Sequence, residues 1–375
     1  MSKLPNVGTT IFSIMSKMAS DYDAINLSQG FPNFPVDENL VRILKETVDG
    51  NYHQYAPMQG NTNLLTQIAA LIEKNYQRKV SIETELLITA GATQGIFTTI
   101  MALVNSGDEV VVLDPCYDCY VPAIVLAGGI PKRIPLSEEF LPDWDRISNA
   151  INHRTKLIIT NNPHNPSGRV WQENDLQCLE DILGKHEELL VLSDEVYEYI
   201  SFESAHISAN SRPKMKERSI VISSFGKTFH ITGWKIGYIV APNFLMEEIK
   251  KVHQFNVFSV NSVAQESLSR YLEITDVSSL GEFYQKKRDL FRKMLSSSKF
   301  ELLPCEGTYF QTVNYEKISS ISDVEFCEVL VKKHGVAAIP ISVFNADNND
   351  NHTIRFCFAK DEVTLTKAAE KLCKI

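Results

Sequence analysis

Residues 157–168 read LIITNNPHNPSG, and this stretch decides the fold. The apolar run Leu157–Thr160 is followed directly by a polar segment rich in asparagine and proline. Strands that are buried on both faces of a parallel sheet have such continuous aliphatic runs. Similar runs that also lead into polar loops lie at Leu86–Thr89, Val110–Leu113, Leu189–Leu192 and Ile220–Ser223. The sequence therefore predicts a parallel sheet whose strand ends carry polar side chains.

Helical patterns separate these runs, for example at Glu173–Leu183 and Met246–Phe255. Such alternation predicts an α/β fold, with a large doubly wound, mostly parallel sheet. Beyond about residue 275 a charged helix, Leu280–Ser298, precedes short strands and further helices, which is typical of a smaller α+β domain. We expect a large domain over residues 41–275, a small domain over 276–375, and an N-terminal segment, 1–40, that joins the small domain.

The charge of the chain argues against two function classes. A formal net charge of −9 without a basic stripe disfavours a nucleic-acid-binding protein. Residues 86–107 carry no charge, but glycine, threonine, glutamine and asparagine interrupt the run, so we expect a strand, a turn and a helix rather than a membrane span. We therefore expect neither nucleic acid nor membrane as a partner.

The cysteines and the N-terminus indicate the compartment. No apolar signal-peptide core follows Met1–Pro5, and seven cysteines, an odd number, suggest free thiols in a reducing cytoplasm. Cys116 and Cys119 form a CxxC, but no second pair completes a zinc site, so we predict no metal.

Lys227 is the first candidate for chemistry. It lies between Gly226 and Thr228 like the lysine of a phosphate-binding P-loop, but Val221 stands where that motif needs its first glycine. The flanking residues are mostly apolar. Desolvation lowers the pKa of an amine and makes it a nucleophile for aldehydes.

Asp194 and Asn165 also follow buried runs. An aspartate at such a place is either a helix N-cap or a buried charge that needs a cation, and a protonated pyridine nitrogen is such a cation. Tyr197 lies three residues further on. Asn165 taken alone is explained by a turn.

Three motifs occur together, namely NPHNPSG at 162–168, SDEVY at 193–197 and SFGKT at 224–228. In this order and spacing they resemble the fold-type-I aminotransferases of class I/II, which use pyridoxal 5′-phosphate (PLP). The resemblance covers essentially the whole chain. It implies the two-domain α/β fold, transamination between amino acids and 2-oxo acids, and PLP as the cofactor.

The resemblance also implies roles for the motif residues. Lys227 would bind PLP covalently and, when released by substrate, carry the proton of the substrate's Cα. Asp194 would pair with the pyridine nitrogen, and Tyr197 and Asn165 would hydrogen-bond the 3′-oxygen. Tyr117 would stack on the pyridine ring.

The phosphate would lie on the backbone amides of Ala92 and Thr93 at a helix N-terminus, completed by Ser224 and Lys235. Many relatives have arginine in place of Lys235, so this chain keeps the charge but not the bidentate fork. Tyr55 matches a tyrosine that relatives contribute to the phosphate across a dimer interface. The active unit implied is a homodimer with shared active sites.

For the substrate, Arg355 occupies the family's place for the arginine that binds the α-carboxylate, and a bidentate pair suits that task. Gly30 would let backbone approach the same carboxylate, with Asn165 also in contact. Phe12 and Phe258 are the candidates for an apolar side-chain pocket, although ordinary core packing explains them nearly as well.

Three further segments, 26–32, 304–310 and 355–362, narrow the resemblance to the methionine aminotransferase and kynurenine/glutamine transaminase K branch. Methionine is the favoured donor, and glutamine, leucine, aromatic amino acids and kynurenine stay open. A kynurenine aminotransferase or a cysteine-S-conjugate β-lyase using the same residues is the alternative. Because the resemblance begins near residue 5, we expect no DNA-binding module of the kind that aminotransferase-like transcription regulators carry.

Overall fold

The computed structural model describes residues 2–5 and 7–375. The strands are β1 (Ile25–Asn26), β2 (Leu86–Thr89), β3 (Glu109–Asp114), β4 (Ile130–Pro135), β5 (Thr155–Asn161), β6 (Leu190–Asp194), β7 (Ser219–Ser224), β8 (Gly237–Val240), β9 (Glu301–Leu302), β10 (Phe310–Asn314), β11 (Val336–Ala337), β12 (Ile339–Pro340) and β13 (Thr353–Cys357). The α-helices are α1 (Ile11–Asp21), α2 (Glu38–Val48), α3 (Thr62–Tyr76), α4 (Ala92–Leu103), α5 (Tyr120–Leu126), α6 (Trp144–Ala150), α7 (Glu173–Lys185), α8 (Phe225–Thr228), α9 (Asn243–Asn256), α10 (Ser262–Leu272), α11 (Leu280–Met294), α12 (Asp323–Val329) and α13 (Glu362–Leu372). Short 3₁₀ turns occupy Ala209–Ser211, Thr232–Trp234, Val277–Ser279 and Ser342–Phe344, and a π-helical turn, Leu330–His334, continues α12.

The large sheet has seven strands in the order β2-β8-β7-β6-β5-β3-β4. Only β8 runs antiparallel to its neighbours, β2 and β7. The predicted α/β fold with a mostly parallel sheet is confirmed, and the five predicted runs lie in β2, β3, β5, β6 and β7. β4 and β8 were not predicted from the sequence. β4 is a partly exposed edge strand whose sequence, IPKRIP, has no continuous apolar run, and β8, GYIV, has only two consecutive aliphatic residues.

Helices cover both faces of this sheet. Side chains alternate along each strand, so Ile88 packs into the core shared with α3, α7 and α10, while Leu87 packs into the core shared with α4, α5 and α9. Both residues are fully buried. Burial on both faces is the reason why these strands appear in the sequence as unbroken aliphatic runs.

A second, antiparallel sheet has the order β12-β13-β10-β9. Its core includes side chains of α11, α12 and α13, and also Met15 and Ala19 of α1. β1 pairs in parallel with β11. The domain boundaries at residues 40 and 275 stay a prediction.

Residues 86–107, for which the sequence predicts a strand, a turn and a helix, contain β2 and α4. Among the described residues, no helix combines the length and the apolar character needed to cross a bilayer.

Candidate active site

A cavity opens where β2, β5, β6 and β7 end and their loops begin. It encloses about 670 Å³ of empty space, counting its open mouth. The residues that line it are Gly91, Ala92, Thr93, Ile96, Tyr117, Asn161, Asn165, Asp194, Val196, Tyr197, Ser224, Gly226, Lys227, Thr232 and Lys235. Every predicted cofactor-binding residue except Tyr55 is therefore brought to one cavity. This is the edge at which parallel sheets bind ligands.

Lys227 lies on α8, the single helical turn that follows β7. Its Nζ atom is 5.7 Å from the ring centre of Tyr197 and 5.8 Å from that of Tyr309. Burial, and next the positive charge of Arg355, lower the pKa of Lys227 to about 8. An amine in this environment is neutral far more often than a surface lysine, as a nucleophile requires.

Asp194 is the last residue of β6 and is 4% exposed. The hydroxyl of Tyr120 donates a 2.6 Å hydrogen bond to its Oδ2 atom. Burial raises the pKa of Asp194 to about 6, against the lowering effect of that hydrogen bond. A carboxylate held this deep gains most from a cationic partner in the cavity.

An anion site lies at the start of α4. Gly91 caps this helix with φ +79°, and no side chain caps its first N–H groups. A Cβ atom on Gly91 would lie 3.1 Å from Nζ of Lys235, so a larger residue would crowd the lysine. Free helix N–H groups beside an ammonium and the Ser224 hydroxyl form a set of donors that suits a phosphate.

Arg355 is in the middle of β13 and is 1% exposed. Its Nη1 donates to Oδ1 of Asn165 at 2.6 Å, and its Nη2 donates to the carbonyl of Ser28 at 3.1 Å. The guanidinium carbon lies 3.8 Å from the ring centre of Phe310 and 5.5 Å from that of Phe12. Its Nε is buried without a partner. A buried guanidinium with a free N–H fits a small carboxylate ligand.

Gly30 packs against the ring of Phe310, over which the Arg355 guanidinium lies. Its carbonyl accepts a 2.8 Å hydrogen bond from the Tyr309 hydroxyl. A Cβ atom on Gly30 would lie 2.8 Å from Cζ of Phe310. The backbone there passes too near the ring for any side chain, which is a stronger requirement than that of a simple turn.

Tyr55 and Phe258 lie away from the cavity of this chain. Tyr55 is 81% exposed and Phe258 is 48% exposed. Their rings meet edge to face, with centres 5.5 Å apart. In this chain Phe258 therefore lines no pocket beside Arg355, and the two aromatic side chains form a surface pair.

Sequence reasoning missed Tyr120, Tyr309, Asn161 and Phe344. Asn161 ends β5, and its Oδ1 accepts the N–H of Asn165 at 2.8 Å, so its place at a strand end was a usable signal. The three-residue spacing between Tyr117 and Tyr120 was a weaker signal for Tyr120. Nothing in the local sequence pointed to Phe344, which ends the 3₁₀ turn between β12 and β13 of the second sheet. Its ring centre lies 5.7 Å from that of Phe12.

Residues 22–372 match the family model described as aminotransferase class I and II. The chain belongs to this family. It is 48% identical to methionine aminotransferase of Escherichia coli (strain K12), over 99% of this chain and 97% of that protein. It is 33% identical to kynurenine–oxoglutarate transaminase of Dictyostelium discoideum, over 98% of this chain and 94% of the relative. The solved structure of YbdL from Escherichia coli, for which a methionine aminotransferase function is described, matches with a TM-score of 0.98 and 47% identity, over 100% of this chain and 99% of that one.

The protein is thus a PLP-dependent aminotransferase of fold type I, and the resemblance drawn from the motifs is confirmed. The residues of the cavity fit PLP on structural grounds. The cavity combines a desolvated amine, a buried carboxylate and an uncapped helix N-terminus beside a lysine. These are the partners that an aldehyde, a pyridine nitrogen and a phosphate need.

Proposed function

We propose that this aminotransferase takes its amino group from apolar or aromatic L-amino acids, with methionine as the favoured donor. The observation that carries the proposal is the surroundings of Arg355, whose guanidinium is flanked by the rings of Phe310 and Phe12. One guanidinium accounts for the α-carboxylate, and aromatic rings beside it suit a soft thioether or a flat side chain. The 48% identity to a methionine aminotransferase supports the same donor. Glutamine, leucine and kynurenine are secondary donors in this proposal.

We assign Lys227 to covalent binding of PLP and Asp194 to its pyridine nitrogen. PLP, when bound, accepts the electron pair that is left on the substrate's Cα when the Cα proton departs. Once substrate has released it, the Lys227 amine would take up that proton and return it at the end of the transfer. Its pKa near 8 allows it to accept and release a proton near neutral pH.

The remaining cofactor contacts follow from the places of the side chains. Tyr197 and Asn165 would hydrogen-bond the 3′-oxygen, and the ring of Tyr117 would cover the pyridine face. The backbone of Ala92 and Thr93, with Ser224 and Lys235, would hold the phosphate. These assignments rest on the lining of one cavity.

Arg355 orients the substrate. Its Nη1 donates to Asn165, and no group of the described residues pairs with its Nε. A bound α-carboxylate takes the free N–H, and Gly30 leaves room for the backbone to approach the same group. The carboxylate then fixes Cα near the Lys227 amine.

We also propose that the enzyme acts as a homodimer in the cytoplasm. The exposed pair of Tyr55 and Phe258 is a surface that a second copy would cover, and through which Tyr55 would reach the partner's phosphate site and Phe258 the partner's substrate. All seven cysteines are free, as a reducing compartment would keep them. The division into residues 41–275 and 276–375, with 1–40 joining the latter, belongs to the same proposal.

The test is a half-reaction. Holoenzyme is mixed with a single amino acid and no acceptor, and the 2-oxo acid formed per active site is measured. Methionine should give one equivalent, and aspartate far less. Lys227→Ala should give none, and near-native turnover by that variant would refute the assignment. Continuous release of pyruvate and ammonia from a cysteine S-conjugate would instead identify a β-lyase.

A further inference from the structure

We propose that Tyr120 is a positioning residue for Asp194, and that its hydroxyl keeps the carboxylate ionised and aimed at the pyridine nitrogen of PLP. The inference rests on the proposed pairing of Asp194 with that nitrogen. It adds a residue that touches neither cofactor nor substrate and acts through the aspartate alone.

The geometry gives Asp194 one strong partner. The Tyr120 hydroxyl donates to Oδ2 at 2.6 Å, and the N–H of Val196 approaches Oδ1 at 3.4 Å. Oδ1 therefore keeps accepting capacity, and Asp194 lines the cavity. A hydrogen bond to a charged acceptor at this distance is among the stronger ones in proteins.

Tyr120 is held in place by its own surroundings. It is the first residue of α5 and is 2% exposed, within the apolar core that α4 and α5 form against the sheet. Its ring meets the ring of Tyr117 at 78°, with centres 5.8 Å apart. One turn of chain, residues 117–120, thus supplies both the ring over the cofactor and the donor behind Asp194. A packed ring aims its hydroxyl with little freedom.

Other charged and titratable groups also face Asp194, and none replaces Tyr120. Lys227 favours the ionised carboxylate through its charge, whereas Glu195 disfavours it. The charge of Asp194 in turn raises the pKa of its neighbours Tyr117, Cys119, Tyr120, Tyr197 and Lys227. Burial raises the pKa of Asp194, and the Tyr120 hydrogen bond is the largest of the effects that lower it.

The consequence concerns the proton shared by Asp194 and the pyridine nitrogen. A donor on the carboxylate makes it less basic, so that the proton stays on the nitrogen rather than on the aspartate. A protonated nitrogen is what makes PLP an effective electron sink. Without the Tyr120 hydroxyl, Asp194 becomes the better base and holds the proton itself.

The experiment compares Tyr120→Phe with Tyr315→Phe, Asp194→Asn and the double variant Tyr120→Phe/Asp194→Asn. Tyr315 is a matched control because it is fully buried and its hydroxyl donates to the carbonyl of Ile321 at 2.8 Å, in the small sheet's core. Two quantities are measured, the equilibrium dissociation constant of PLP from apoenzyme fluorescence and the pH midpoint of the cofactor's visible absorption.

Tyr120→Phe should weaken PLP binding about tenfold and raise the pH midpoint of the cofactor's visible absorption by about one unit. The loss of a hydrogen bond to a charged group produces changes of about this size. Tyr315→Phe should change neither quantity. In the Asp194→Asn background, Tyr120→Phe should have no further effect, because the carboxylate on which it acts is absent.

The outcomes separate the two proposals. If Asp194→Asn leaves PLP binding and the midpoint unchanged, the proposed role of Asp194 fails. If Asp194→Asn impairs both but Tyr120→Phe behaves like Tyr315→Phe, only the role of Tyr120 fails. An undiminished effect of Tyr120→Phe in the double variant also overturns it. Should Tyr120→Phe alone not fold, the inference requires that adding Asp194→Asn restores folding, and failure to do so refutes it.

Discussion

Single side chains in this cavity have properties that the same residue types lack at a surface, and Lys227 shows this most directly. Its pKa of about 8 results from burial first and from the Arg355 charge second. At pH 7.5 about a quarter of such amines are neutral, against roughly one in a thousand for an ordinary lysine. The fold therefore prepares the nucleophile before any cofactor arrives.

The rate at which apoenzyme captures PLP covalently should follow this neutral fraction. It should rise about tenfold per pH unit at acidic pH, because each unit multiplies the neutral amine by that factor, and level off above about pH 8. Trapping by borohydride followed by mass measurement gives the rate. Arg355→Gln removes one cause of the lowered pKa, so the midpoint should move to higher pH. A midpoint near that of free lysine would contradict the prediction.

Arg355→Lys tests the recognition of the α-carboxylate. Lysine keeps the charge but loses the planar fork and the N–H at Nε, so kcat/KM for methionine should fall about 100-fold. Steady-state kinetics measure the loss, and the visible spectrum checks that PLP is retained. Unchanged kcat/KM with full PLP content would remove Arg355 from the substrate site.

At the scale of elements, the site depends on strand ends that the sequence predicts well and on a contact that it does not. The loops after β2, β5, β6 and β7 were predictable because strands buried on both faces leave continuous aliphatic runs. Asn165, Asp194 and Lys227 were placed correctly on one rim for that reason. β4 escaped prediction because this edge strand, IPKRIP, has no continuous apolar run.

The contact that could not be predicted from the sequence joins β4 to residues 344–346, between β12 and β13 of the second sheet. Arg133, on β4, donates to Oδ1 of Asp114 at 2.9 and 2.8 Å and to the carbonyl of Phe344 at 2.6 Å. Oδ2 of Asp114 accepts the N–H of Ala346 at 2.9 Å. Arg133 is 19 positions from Asp114 and 211 from Phe344, and Asp114 is 232 positions from Ala346. No local pattern encodes such a pairing.

Arg133→Met should loosen Phe344 and, through it, the ring of Phe12 beside Arg355. We expect kcat/KM for methionine and phenylalanine to fall about tenfold, the size of a lost apolar side-chain contact, with a much smaller change for alanine. Arg154→Met is the matched control, because Arg154 pairs with Glu109 at the opposite end of β3, 2.6 Å apart. An equal loss for alanine would indicate a general effect on folding rather than on side-chain recognition.

At the scale of the whole molecule, two of the predicted site residues lie outside the cavity of their own chain. Tyr55 is 81% exposed and contacts Phe258 instead of the cavity of its own chain. The resemblance alone predicts that Tyr55 serves a partner's phosphate site, since composition and spacing carry no information on which subunit a side chain serves. A large exposed tyrosine and phenylalanine in edge-to-face contact is a surface that association would bury.

Complementation between two defective variants tests the shared site. Lys227→Ala lacks the amine and Tyr55→Ala lacks the phosphate contact, so each should be strongly impaired as a homodimer. If Tyr55 serves the partner, a hybrid dimer has one site with both residues intact, on the chain that keeps Lys227. Dissociation and reassociation of an equal mixture should then recover about a quarter of the native activity, because half the dimers are hybrids with one working site of two. If Tyr55 served its own chain, that site would lack it in every dimer, and the mixture would stay as inactive as its parents.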